Sequence, residues 1–217
     1  MDFREGLRTR RSVRQYIPNR DIPADDIRDI LETAMLAPSG RNKQPWEFIV
    51  VNDKSKFPEI TQAQPYCRFL EEASLAVIVC GNTEEEMAPG AWMVDCAAAT
   101  ENLLLACHAK KLGSCWCGIY PDKERMENFI RLFNLPPHIK PLSLVVIGYP
   151  AAEPRQPEDR FKQQKIHMNS WQKKSPFQTG IFYEFSLKKA NRHRLVQRLP
   201  FLFRRLLFFD NIPAENL

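Results

Sequence analysis

Pro38-Ser39-Gly40-Arg41-Asn42-Lys43-Gln44-Pro45-Trp46 runs straight into the apolar stretch Phe48-Ile49-Val50-Val51. A polar, amide-rich loop feeding a β-branched run reads as a binding loop delivered onto a strand, here Trp46 to Val51. Upstream, Ile22-Pro23-Ala24-Asp25-Asp26 starts a helix, with Pro in the first turn and two acids at the positive end of the helix dipole. Ile27, Ile30, Leu31, Ala34 and Met35 follow at helical spacing, and Pro38-Ser39-Gly40 ends the segment. Before that helix lies Arg10-Arg11-Ser12-Val13-Arg14-Gln15-Tyr16. It places three guanidiniums and a hydroxyl within five residues, a donor set suited to a phosphate and an electron-rich carbonyl edge. A solvated basic face with a helix-capping Ser is the plain alternative. Val13 to Pro18 is not a helical pattern, however, so capping explains Ser12 poorly.

Downstream, Leu75-Ala76-Val77-Ile78-Val79-Cys80 reads as a strand buried on both faces. Ala91 to Lys111, closed by Leu112-Gly113, is the longest helical candidate, and its apolar residues lie nearly all round, which implies deep burial in a core or between subunits. Pro121-Asp122-Lys123-Glu124-Arg125 begins another helix that runs through Phe133, and Leu142 to Gly148 is a further strand. Helices and strands mix without the Gly-x-Gly-x-x-Gly turn of a dinucleotide fold. The order predicts an α+β sandwich, with helices packed on a small sheet.

At 217 residues the chain has room for one domain with a real core, and no segment approaches the roughly 18 uncharged residues of a membrane span. Met1 to Gly6 lacks a secretory apolar stretch, so a cytoplasmic location is expected. Six cysteines in apolar or helical surroundings fit a reducing compartment. Cys115-Trp116-Cys117 has one residue between its thiols, not the two of a redox or zinc pair, and no metal site is expected. None of the four His has a nucleophile or carboxylate at a telling spacing, and no paired-carboxylate motif appears. That pattern fits a bound cofactor doing the hard chemistry.

After Tyr149-Pro150 the chain turns Pro- and charge-rich, with Glu153 to Phe161 expected as an extended surface segment. The body is expected to span residues 1–171. Residues 172–217 carry nine Lys/Arg against three Asp/Glu and half of the 14 Phe, so the basic character of a chain with net charge +5 resides there. This extension reads as a membrane-surface segment, a strap crossing to a partner, or an altered reading frame. Pro200 interrupts its amphipathic pattern, which favours the last two over membrane contact. No nucleic-acid partner is expected.

Together the Arg-x-Ser-x-Arg strip and the Pro-Ser-x-x-Asn-x-Gln-Pro-Trp loop resemble the nitroreductase family of flavin enzymes, over residues of about 7 to about 171. The resemblance implies that Arg10, Arg11, Ser12 and Arg14 hold the phosphate, ribityl chain and ring edge of FMN. Pro38, Ser39, Asn42 and Gln44 would reach that flavin from the partner of an intertwined homodimer, each protomer packing its helices around a small central mixed sheet. An Asx-type turn into a strand is the plain alternative for that loop. Gly113 to Ile119 resembles the segment beneath the flavin ring, implicating Gly118 and Trp116, although core packing is the better account of the Trp116 side chain. Arg160 corresponds to a late phosphate-binding position. Gln64-Pro65-Tyr66-Cys67 stands where relatives place an Asn or Lys on the flavin, and the resemblance assigns no contact there. The implied activity is ping-pong transfer from NADH or NADPH through FMN to an electron-poor acceptor such as a nitroaromatic or quinone. A flavin-binding or flavin-storage protein with little turnover is the alternative, and relatives include dehalogenating and flavin-consuming enzymes.

Overall fold

The computed structural model describes residues 2–153, 159–167 and 169–171. Contacts divide the chain after Pro157, into Met1–Pro157 and Glu158–Leu217. Arg160 and Trp171 fall in the second unit. Residues 172–217, and five residues of the extended segment after Tyr149-Pro150, lie outside the described residues.

In the first unit the described helices are α1 (Phe3–Thr9), α2 (Ala24–Met35), α3 (Phe57–Ala63), α4 (Ala91–Ala109) and α5 (Lys123–Leu132). The strands are β1 (Trp46–Val51), β2 (Leu75–Asn82), β3 (Gly113–Gly118) and β4 (Ile139–Gly148), in spatial order β1-β2-β4-β3. All three strand pairings are antiparallel. The mixed character expected of the sheet is confined, among the described residues, to one isolated parallel bridge between Ser12 and Ser114. The ladder is antiparallel although its neighbours are joined through helices, α3 between β1 and β2 and α5 between β3 and β4.

The sheet is covered on both faces, as the continuous apolar run of β2 demands. Leu75, Val77 and Val79 face one core with Ile30 and Ala34 of α2 and Cys96, Ala99 and Leu103 of α4. Ala76, Ile78 and Cys80 face the other with Phe57 and Ile60 of α3 and Phe129 of α5. Asp122 caps α5 by accepting from the Arg125 N–H at 3.0 Å. Lys110, bonded to Asp26 at 2.7 Å and Asp29 at 2.9 Å, ties the end of α4 to the start of α2. α4 stops two residues earlier than its sequence suggests, at Ala109, because Lys111 turns left-handed at φ 62°. Gly113, expected as part of that stop, belongs instead to β3.

Its role there is spatial. A Cβ on Gly113 would sit 2.7 Å from Val13 Cγ1, and one on Gly148 would sit 2.8 Å from Tyr16 Cδ1. The two glycines are register partners across β3 and β4. Together they open a trough in which the N-terminal strip lies directly on backbone.

Candidate active site

Ser12 to Ile17 is extended, as its non-helical pattern predicts, and is fixed at both ends. The Val13 N–H donates to the Ser114 carbonyl at 3.0 Å, and the Ile17 N–H donates to the Tyr149 carbonyl at 2.8 Å. Between them the buried Tyr16 hydroxyl bonds the carbonyls of Val13 (2.7 Å) and Val146 (3.2 Å). Burial pushes that phenol well above its usual range, so it stays a donor at any working pH. Arg14 and Ser12 project from this strip to the surface, while Arg10 and Arg11 are half-buried. Arg10 pairs through Nε with Glu101 of α4 at 3.2 Å, and Arg11 donates to the Arg10 carbonyl.

β3 presents a second set of donors. Its Ile119 neighbour donates to the Leu142 carbonyl at 3.0 Å, which sets the antiparallel alternation. Cys115 and Cys117 then bond inward to β4, while Ser114, Trp116 and Gly118 turn their N–H and C=O groups to the open edge. The Val13 bond to Ser114 agrees with this alternation. Beyond that bond, the N–H groups of Trp116 and Gly118 continue the edge along which the arginine strip begins. The Trp116 ring itself packs toward the core shared by α2 and α4, so its contribution to the edge is backbone. A Cβ on Gly118 would meet only the Tyr120 carbonyl, at 3.7 Å. Unlike Gly113 and Gly148, Gly118 leaves space that the protein itself does not fill.

Beneath the edge, Cys115 and Cys117 share one face of β3 and are buried, with Cys67, in the core beside α3 and α5. Hydrogen bonding with Cys117 lowers the Cys115 thiol, and Arg14, Ser12 and Arg10 act in the same direction. Burial holds Cys67 up at about 12. Among the described residues no cluster of His, Cys, Asp or Glu suits a metal ion.

The loop is shaped independently of the strip. Arg41, Asn42 and Gln44 adopt φ of 51°, 56° and 51°, with Lys43 right-handed between them, a left-handed conformation that side chains rarely take and that clusters at ligand clamps. Ser39 Oγ accepts from the Gln44 N–H at 3.0 Å, and Gln44 Nε2 donates to Asn42 Oδ1 at 2.8 Å. Pro38, Asn42 and Gln44 are exposed and Ser39 is half-buried. Asp95 of α4 anchors the loop by accepting from the Gly40 N–H at 3.1 Å. Its second oxygen is buried and meets no donor among the described residues.

Strip and loop are therefore both tethered to α4, the strip through Arg10 and Glu101, the loop through Asp95. From Asp95 to Glu101 is about 9 Å along a helix. No hydrogen bond or ion pair joins them among the described residues. Arg160 is exposed in the second unit. Gln64, which the sequence left unassigned, is buried and donates to Gly118 O.

His108 carries a testable charge effect. Its Nε2 lies 2.7 Å from Thr9 Oγ1, clasping α1 to α4. Burial first, then Arg10 and Arg11, lower its pKa from 6.5, against a smaller opposing effect of Glu5. A depressed folded-state value means the unfolded chain binds the proton more tightly, so stability is complete above 6.5 and lost as pH falls below it. Chemical denaturation at pH 7.5 and 5.5 should show this loss, and His108→Gln should reduce it. An equal pH dependence in the variant would place the titrating group elsewhere.

The scaffold is α+β with an open edge on β3, and the comparisons with known proteins give its family. The nitroreductase family model matches residues 7–76 and 61–149, and the chain belongs to the nitroreductase family. It is 40% identical over 171 residues to a Methanothermobacter thermautotrophicus protein provisionally named NADH dehydrogenase/NAD(P)H nitroreductase, covering 79% of this chain and 88% of that one. A Parabacteroides distasonis crystal structure with the same provisional name superposes with a TM-score of 0.72 at 37% identity, covering 77% of this chain and 97% of its own. A Desulfovibrio desulfuricans relative, crystallised in complex with FMN, is 26% identical with a TM-score of 0.66, covering 76% and 95%.

Proposed function

We propose that this oxidoreductase binds FMN along the open edge of β3 and passes electrons from NADH or NADPH to an electron-poor acceptor such as a nitroaromatic or quinone, by a ping-pong sequence. The observation that carries this reading is that the arginine strip is bonded to the open edge of β3 at Ser114, the edge along which the N–H groups of Trp116 and Gly118 follow, with the Cβ position of Gly118 vacant. These residues fit a ligand with a dianionic phosphate at one end and a flat, acceptor-rich ring at the other. Arg10, Arg11 and Ser12 would hold the phosphate and ribityl chain. Arg14 would stand by the pyrimidine end of the ring, and Trp116 and Gly118 would offer their N–H groups to its other edge.

Held by these residues, FMN would supply the hydride- and electron-transfer chemistry that side chains lack. The protein contributes a fixed cation and fixed dipoles where negative charge develops, which cost no reorganisation during the reaction. Tyr16 keeps the strip at one height over the sheet. The glycine at 118 lets the ring approach the backbone.

A homodimer with shared sites is part of this proposal. Val94 and Leu36 are 73% and 79% exposed on α4 and beside α2, an apolar surface next to the loop. A second copy seated there would bring Pro38, Ser39, Asn42 and Gln44 to its partner's flavin and give the free Asp95 oxygen a donor. Among the described residues no helix is long and apolar enough to cross a membrane.

The test is optical. Yellow protein mixed with NADH or NADPH under nitrogen should lose its visible flavin absorption, and a quinone or nitroaromatic should restore it. Colour that persists with both nicotinamides would instead identify a flavin-binding protein without turnover.

A further inference from the structure

Gln64 is 1% exposed at the junction between α3 and the following 3-10 turn. A buried amide has to be satisfied, and this one is turned toward the end of β3. Its Nε2 donates to the Gly118 carbonyl at 2.6 Å, and its Oε1 accepts from the Tyr66 N–H at 3.4 Å. Arg125 of α5 donates to the same Gly118 carbonyl through Nη1, at 3.2 Å. Arg125 is steadied in turn by Asp122 at 3.4 Å, and its guanidinium lies 5.2 Å from the Tyr66 ring centre. Two side chains from separate elements thus occupy both lone pairs of one carbonyl.

The place they grip is where β3 leaves the sheet. Opposite it, β4 shifts register against β2 between Val79 and Cys80, and the Leu142 carbonyl accepts from both the Ile119 and Tyr120 N–H groups, each at 3.0 Å. A strand end beside such an irregularity has few ladder bonds to hold its direction. In a strand the N–H and C=O of one residue project to the same edge. Fixing the carbonyl of Gly118 therefore fixes the aim of its N–H.

We propose that Gln64, assisted by Arg125, is a positioning residue that aims the Gly118 N–H at the ring of bound FMN and thereby sets the balance between oxidised and reduced flavin. The proposal rests on the FMN reading given above. A donor held in place stabilises negative charge developing on the ring, whereas a donor free to swing must first be reoriented. A role in packing alone would make Gln64 matter for stability but leave the properties of bound flavin unchanged.

Gln64→Met keeps the length of the side chain and deletes its donor. In the FMN-loaded full chain this variant should shift the bound-flavin equilibrium about tenfold toward the oxidised form, a midpoint potential about 30 mV more negative. FMN affinity should change much less. In flavin-free protein the same variant should speed amide exchange at Ile119 and Tyr120, because the strand end is freed to open. Arg125→Met, at the partly exposed donor, should move potential and exchange in the same direction and by less, and it decides the matter if Gln64→Met does not fold. A wild-type flavin potential in the variant that folds would overturn the proposal. If the wild-type chain takes up no FMN, the cofactor reading fails, while amide exchange still reports whether the clamp exists.

Discussion

Arg14→Ala is expected to purify with part of its flavin missing and to bind added FMN roughly 10- to 150-fold more weakly, the loss of about 1.5–3 kcal/mol that goes with a charge-assisted contact. Arg14 is exposed and holds no hydrogen bond or ion pair among the described residues, so its removal leaves the fold intact. That makes it a cleaner probe than Arg10, whose Glu101 partner would be stranded by the same change. Fluorescence titration of FMN gives the dissociation constant, and thermal unfolding of the flavin-free variant checks that stability is preserved. An Arg14→Ala protein with wild-type affinity would remove the strip from the flavin site.

Gly118→Ala tests the other side of the same border and separates binding from folding more sharply. The added Cβ meets only the Tyr120 carbonyl, at an ordinary 3.7 Å, and Gly118 is not in a left-handed conformation. Flavin-free stability should therefore stay within about 1 kcal/mol of wild type, raised if anything by the narrower unfolded ensemble. FMN binding should nonetheless fall by about tenfold or more, since a methyl group then stands where the ring approaches. Gly118→Val should abolish binding. If both variants bind FMN normally, the ring does not lie against β3. Gly113→Ala offers the contrast, because its methyl would collide with Val13 and should destabilise the fold itself.

How far the sequence could be read depended on which force shaped each element. β1 was legible to the residue, from Trp46 to Val51, and β2, α2, α4, α5 and β4 were legible in kind, because burial imposes a period or a continuous apolar run. β3 was not recognised as a strand. Gly-Ser-Cys-Trp-Cys-Gly has weak β-propensity and no alternation, and it is a strand because β4 pairs with it. α1 is only seven residues long, too short to carry a periodic signal. The strip and the loop stood out through chemistry, by the density of guanidiniums and amides, yet their placement did not. Three left-handed residues in the loop include Arg41 and Gln44, for which no residue preference announces that conformation. Gln64 was invisible as a clamp because its partner, the Gly118 carbonyl, is a backbone atom 54 residues away. A buried Gln leaves no trace in a sequence unless its burial is already known.

The trough formed by Gly113 and Gly148 fixes an order of events during synthesis. The arginine strip is made well before its support, for Tyr16 finds an acceptor on Val146, 130 residues later in the chain. The strip cannot settle until both β3 and β4 have emerged and paired. Until those strands are made the strip stays undocked, and it joins the edge of β3 only in the last stage of the body's folding.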